Sequence, residues 1–220
     1  ADAVIIEIKA LGGTAVSDTF DITDYAACGK AVENAISAFG DLHVVVNNAG
    51  INRDRMFATM SEQEWDAIMA VHLKGHFCLS SNAVQYWRAQ VKEGKRLSAR
   101  IINTSSGAGL QGSVGQSNYA AAKAGIAALT LNQAAELRRY GITANAITTA
   151  ARTAMTTQVG VMAERMKKPD DGSFDYWAAG NVSLLLVCLG SWHSSVASGR
   201  VSEAEGGKIS MADGQSPIHI

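Results

Sequence analysis

Short apolar runs recur along this chain, each near a longer stretch of helical periodicity, and that alternation leaves few folds open. His43-Val44-Val45-Val46 is the densest run, of the kind buried on both faces in a parallel sheet. Arg100 to Thr104 and Ile142 to Thr148 read as two more strands, Ala15 to Phe20 as a short one and Lys208 to Met211 as the last. Asp24 to Phe39 reads as a helix stopped by Gly40, a long helix starts at the capping pair Ser61 and Glu64, and Tyr119 to Tyr140 is a third, closed by Gly141. Parallel strands need a crossover of roughly a dozen residues, which a helix supplies, so the pattern predicts an α/β fold with both faces of the sheet covered.

The ends and the gaps in this pattern are also informative. Val4, Ile5, Ile8 and Leu11 have helical spacing and Gly12-Gly13 supplies a stop, so the chain begins inside an element. Residues 150 to 182 are polar and irregular, follow a strand end, and are placed to act as a lid over the carboxyl ends of the strands. An apolar helix is expected around Val182 to Leu189. With 47% hydrophobic residues in 220, one sizeable core can form, and residues 1–220 read as one domain.

A net charge of -1 provides no field for nucleic acid or anionic lipid, which leaves small molecules or other subunits as partners. No apolar run reaches the ~18 residues that would span a bilayer. Cys28, Cys78 and Cys188 are too widely spaced for a metal or redox motif and read as free thiols, each a small core residue, in a reducing compartment. A cytoplasmic protein is expected.

The chemistry concentrates in three places. Tyr119-Ala120-Ala121-Ala122-Lys123 puts a phenol and an ammonium at i and i+4 on one helix face. A cation within ~4 to 6 Å can lower an acid's pKa by roughly 1 to 3 units, which would bring a tyrosine toward proton transfer near neutral pH. Ser105-Ser106-Gly107 ends a strand, where a hydroxyl faces the ligand crevice. Asn47-Asn48-Ala49-Gly50 ends another, and its amides and glycine are poor strand and core residues, so they read as site residues and not as packing.

A strand with Asn-Asn-Ala-Gly, a strand with serine, and Tyr-x-x-x-Lys, in this order from Asp21 to about Gly214, resemble the short-chain dehydrogenase/reductase family. The resemblance implies a Rossmann-like doubly wound sheet, NAD or NADP as cofactor with NAD favoured, and interconversion of carbonyl and alcohol. It implies that Tyr119 is the acid in reduction and the base in oxidation, and that Ser106 hydrogen-bonds the substrate oxygen. Lys123 would lower the pKa of Tyr119 and hold the nicotinamide ribose. Asn47, Ala49 and Gly50 would border the adenosine and ribose, Asp21 and Ile22 would flank the adenine, and Thr153 would bind the carboxamide. A homodimer or homotetramer would form through the two long helices beginning near Ser61 and Tyr119.

Residues Gly50 to Phe57, Val71 to Gly75 and Gly112 to Tyr119 resemble a narrower branch. That branch holds the (3R)-hydroxyacyl-CoA dehydrogenase part of the peroxisomal multifunctional enzyme and actinobacterial hydroxysteroid dehydrogenases. The substrate implied is a 3-hydroxyacyl-CoA or a steroid-like compound.

Three departures stand out. The family's glycine-rich turn cradles a pyrophosphate on backbone N–H groups, and no such turn occurs here; Gly12-Gly13 lies between a helix and a strand. On the family pattern the first two strands would therefore be absent. The result would be either a gap beside the Val44 strand or a repacked five-strand sheet, and either a shortened piece of an enzyme or a catalytically weak paralogue that pairs with active subunits. His72 stands where the family commonly has asparagine, a fourth member of the catalytic set; with His76 it makes an i, i+4 pair lacking a third metal ligand, so no metal site is expected. Thr149 and Ala150 replace the usual proline and glycine, so a looser turn is expected after that strand.

Overall fold

The structure is a computed structural model and describes residues 2–153, 156–157 and 160–212. In chain order the elements are α1 (Asp2–Ala10), α2 (Tyr25–Phe39), β1 (Val44–Asn47), α3 (Glu62–Met69), α4 (Gly75–Lys92) and β2 (Ala99–Thr104). There follow α5 (Gly107–Gln111), α6 (Ser117–Leu137), β3 (Ile142–Ala150), α7 (Gly160–Arg165), α8 (Gly180–Gly190), β4 (Val201–Glu205) and β5 (Lys208–Ala212). Local chemistry sets several boundaries. Asp24 caps α2 by accepting from the amides of Ala26 and Ala27, and Gly40 at φ 83° ends it. Ser61 and Glu64 form the expected reciprocal capping box at the start of α3.

The sheet has five strands in the order β1-β2-β3-β4-β5. The first four run parallel, with Val44 beside Arg100, Ala99 beside Ile142 and Ala146 beside Val201, and β5 returns antiparallel to β4. Helices cover both faces, as the alternation predicts. Ile101 packs on one face with Val45, Trp87, Leu137 and Ile142, beneath α2, α4 and α6; its neighbour Ile102 packs on the other with Ile147, Leu185 and Leu189, beneath α8. All six residues of β2 are buried, which fits a central parallel strand.

Four expectations need correction. Ala15 to Phe20 forms no strand: it runs irregularly past α2, and an apolar groove of about 290 Å3 lined by Val16, Phe20, Val32, Phe39, Val44 and Val46 separates it from β1. No strand among the described residues pairs with the outer edge of β1, so a gap is present there; the fifth strand is instead β4. Its sequence Val-Ser-Glu-Ala-Glu has too little apolar content to stand out, and pairing with β3 and β5 decides its conformation. The helix begun at Ser61 is broken by a π-helical turn, Ala70–Lys74, between α3 and α4. Cys28 and Cys78 are buried, whereas Cys188 on α8 is exposed.

Candidate active site

Beyond the carboxyl ends of β1 and β2, side chains from the β2 exit, the start of α6 and the turn between α3 and α4 converge on Tyr119. Ser106 caps α5 by accepting from the amide of Ala108 at 3.2 Å, which holds its hydroxyl at the exit of β2. The preceding Ser105 donates to the Lys123 carbonyl at 2.8 Å, and the Lys123 ammonium donates to the carbonyl of Thr104, so β2 and α6 are stitched together twice. Gly109 permits the close packing: a Cβ there would sit 2.6 Å from the Ala124 nitrogen. On α6, Lys123 Nζ lies 5.5 Å from the centroid of the Tyr119 ring.

The π-helical turn carries His72, and such turns are frequent at functional sites because they re-aim one side chain. The His72 ring meets Tyr119 edge to face at 5.2 Å between centroids. Its Nε2 is 3.1 Å from the Ile51 amide nitrogen and 2.8 Å from the Ile51 carbonyl oxygen, while its Nδ1 is buried without a partner. Gly50 is where the ring demands it: a Cβ there would stand 2.7 Å from His72 Cε1. His76, on the next turn, accepts from the Thr104 amide at 3.3 Å, a backbone-supporting role.

Burial pushes the His72 imidazole down to about 4, with the Lys123 charge adding, so the ring is neutral near pH 7. Burial also takes Lys123 down to about 8. For Tyr119 burial raises the phenol above its ordinary value; the Ser106 hydroxyl pulls it down and the Asp54 carboxylate pushes it up. The expected lowering by Lys123 does not emerge: burial is the largest influence on the phenol, and the Lys123 ammonium is engaged by the Thr104 carbonyl.

The residues proposed to border a dinucleotide are distributed unevenly. Asn47 is buried, and its amide donates to Ser80 Oγ and Asn103 Oδ1, both at 2.8 Å, while Asn103 donates to Thr130 and Gln133. The side-chain amide is therefore part of a core polar network tying β1 to β2 and α4. Asn48, exposed, accepts from Thr104 Oγ1 at 3.3 Å. Ala49 is exposed and Gly50 half-buried at the same strand end. Asp21 is exposed and accepts from the Thr23 amide at 2.8 Å, and Ile22 packs against Gly75. Thr153, exposed beyond β3, opens a tight turn in which its amide donates to Thr156 Oγ1 at 2.8 Å. Part of the segment 150 to 182, expected to act as a lid, lies outside the described residues (154–155 and 158–159); within the described part Arg152 pairs with Asp175 and donates to the Met166 carbonyl.

One residue escaped the sequence reading. Asn118 is wholly buried; its amide donates to the carbonyls of Arg53 at 3.1 Å and Glu64 at 3.2 Å, and its oxygen accepts from the Tyr119 amide at 2.8 Å. The first turn of α6 is thereby fixed to the loop after β1 and to α3. An amide directly before the tyrosine at a helix start was the available signal.

No helix of the described residues is long and apolar enough to cross a membrane. No group of three or more His, Cys, Asp or Glu residues among them is placed to hold a metal ion.

The family model for short chain dehydrogenases matches residues 1–164. Hydroxyacyl-CoA dehydrogenase ChsB1 of Mycobacterium tuberculosis is 44% identical over 226 aligned residues, covering all of this chain and 69% of that protein. The peroxisomal hydratase-dehydrogenase-epimerase of Saccharomyces cerevisiae is 45% identical over 159 residues, 72% of this chain and only 17% of that protein. A crystal structure of a short chain dehydrogenase from Mycobacterium avium superposes with a TM-score of 0.88 at 51% identity, covering 98% of this chain and 70% of that one. Sequence motifs, a doubly wound sheet and a converged Ser106, Tyr119 and Lys123 thus agree, and the chain belongs to the short-chain dehydrogenase/reductase family of oxidoreductases, which use nicotinamide cofactors.

Proposed function

We propose that the protein interconverts a 3-hydroxyacyl-CoA, including one carrying a steroid-like acyl group, and its 3-oxo form, using NAD in preference to NADP. The observation that carries this reading is the meeting of the Tyr119 phenol, Ser106 hydroxyl and Lys123 ammonium at the strand ends, with relatives named for hydroxyacyl-CoA chemistry. An ammonium has three N–H donors, and Lys123, 3% exposed, spends one on Thr104, so two remain for ribose hydroxyls. The nicotinamide end of the cofactor therefore fits the residues present. The pyrophosphate end finds no glycine-rich turn in these residues.

The nicotinamide cofactor, held there by Lys123 and Thr153, would supply the hydride acceptor for oxidation and the hydride donor for reduction. Tyr119 Oη takes the alcohol proton in oxidation and returns it in reduction. Ser106 Oγ donates to the same substrate oxygen, where negative charge develops. Burial has raised the Tyr119 pKa, so the phenol is held protonated as a donor; Lys123, which would hold the nicotinamide ribose, is the group that would assist ionisation when oxidation runs. His72, neutral, steadies the Tyr119 ring and the loop at Ile51.

Assembly through the two long helices is part of the same reading, supported by an apolar surface of Met69, Leu73, Phe77 and Leu129 shared by α3, α4 and α6. Three free thiols support a reducing, cytoplasmic setting. The test is absorbance at 340 nm with (3R)-hydroxyacyl-CoA and millimolar NAD or NADP. Reduction of the cofactor supports the reading, and none with any hydroxyacyl-CoA refutes it.

A further inference from the structure

At the other end of the sheet from the proposed catalytic groups, Arg100 is the second residue of β2 and is 2% exposed. Its Nε donates to the Ser191 carbonyl at 3.3 Å, Nη1 to the Ala99 carbonyl at 3.0 Å and Nη2 to Ser98 Oγ at 3.0 Å. No carboxylate among the described residues pairs with it. A guanidinium carries five N–H donors, so two are unspent. The bland explanation is that Arg100 caps the carbonyl end of α8, next to Ser191. A helix end offers a cation only a partial charge, which is less than what taking a full charge out of water costs, so capping does not offset the burial.

A second observation points to the same place. Thr143, 7% exposed at the start of β3, has a buried Oγ1 with no hydrogen-bond partner. Arg100 and Thr143 line one cavity of about 270 Å3, closed by Ser98, Ser195 and Ser198 and bordered by the exposed Arg138. Two cations, four hydroxyl side chains and no carboxylate make up its polar lining.

We infer that this cavity binds a small oxyanion, a phosphoryl or carboxylate group, through Arg100, Thr143 and Arg138. Such an ion takes up the two unspent Arg100 donors and the Thr143 hydroxyl together, and supplies the missing counter-charge. The site lies about 13 Å along β2 from Thr104, so its occupancy is independent of the catalytic crevice.

Thermal melts of the 220-residue chain at fixed pH and ionic strength, with chloride exchanged for phosphate or for acetate, test this. A saturable rise in Tm is expected. Phosphate alone acting assigns a phosphoryl ligand; acetate acting equally assigns a carboxylate. Arg100→Met should abolish the response, and Arg138→Gln should weaken it about tenfold, the loss of one charge-assisted contact. If Arg100→Met does not fold, Arg138→Gln and Thr143→Val decide, since one is at the surface and the other removes only the unpartnered hydroxyl. No response to either anion, or a response unchanged in the Arg138→Gln/Thr143→Val double variant, overturns the inference.

Discussion

Around β2 and β3 nearly every side chain is buried and the polar ones are mostly hydrogen-bonded, whereas the outer edge of β1 and residues 2–20 leave apolar side chains in water. Ile101 is 0% exposed; Val46 on β1 is 42% exposed, and α1 buries no residue at all. The proposed catalytic groups hang from the first region, and Asp21 and Ile22, proposed to flank the adenine, directly follow the second. Proton transfer needs side chains fixed to within fractions of an ångström. A scaffold packed on both faces supplies that, and an unpaired edge does not.

The largest expected effect comes from acid. The unfolded chain protonates a histidine near 6.5, but His72 in the fold does so only at about 4 and His76 at about 3, because burial opposes the charge. In that window the unfolded state binds more protons, so stability is full above pH 6.5 and is lost as pH falls toward 4. His72 alone accounts for about 3 kcal/mol. Urea unfolding at pH 7 and pH 4.5 measures it, and His76→Gln should flatten the dependence. A pH-independent stability would break the claim that this end of the sheet is the tightly buried one.

Next in size, Tyr119→Phe should lower kcat at least ~10²-fold with an unchanged melting temperature, because only the proton carrier is removed. Steady-state kinetics and a thermal melt on the same sample check it; retained turnover removes Tyr119 from the mechanism. Gly50→Ala should destabilise by about 1 to 3 kcal/mol, since the new Cβ must displace the His72 ring in a filled site. Denaturant midpoints read this directly. An unchanged midpoint would mean that the loop after β1 is looser than its contacts indicate.

The smallest effect belongs to the open edge. Phe20→Ala should cost about 1 kcal/mol or less, because the ring is already 37% exposed beside the groove. Hydrogen exchange by mass spectrometry should show amides of residues 2–20 exchanging at least tenfold faster than those of β2 and β3. Equal protection would erase the contrast between the two regions.

Much of the catalytic end was legible because its signals are local. A helix cap, a strand end and an i, i+4 pair each depend on a few neighbouring residues, so Ser61 with Glu64, Ser106, and Tyr119 with Lys123 could be placed from order and spacing. The hydrogen bonds of the Asn47 amide to Asn103 and Ser80 could not be foreseen, because an amide looks the same in sequence whether it meets a ligand or a neighbouring strand. The Val201–Glu205 strand was missed, and Ala15 to Phe20 wrongly taken for one, because strand pairing is settled by a partner distant in the chain.

The amino-acid order alone determined the alternation of elements, the capping of α2 and α3, and which residues could do acid–base chemistry, since all of these follow from backbone propensity and short-range geometry. Only the tertiary structure decided the protonation tendencies. The Tyr119 pKa moves upward and not downward, and His72 is neutral, because desolvation depends on what the rest of the chain stacks above a group, and no spacing in the sequence encodes that.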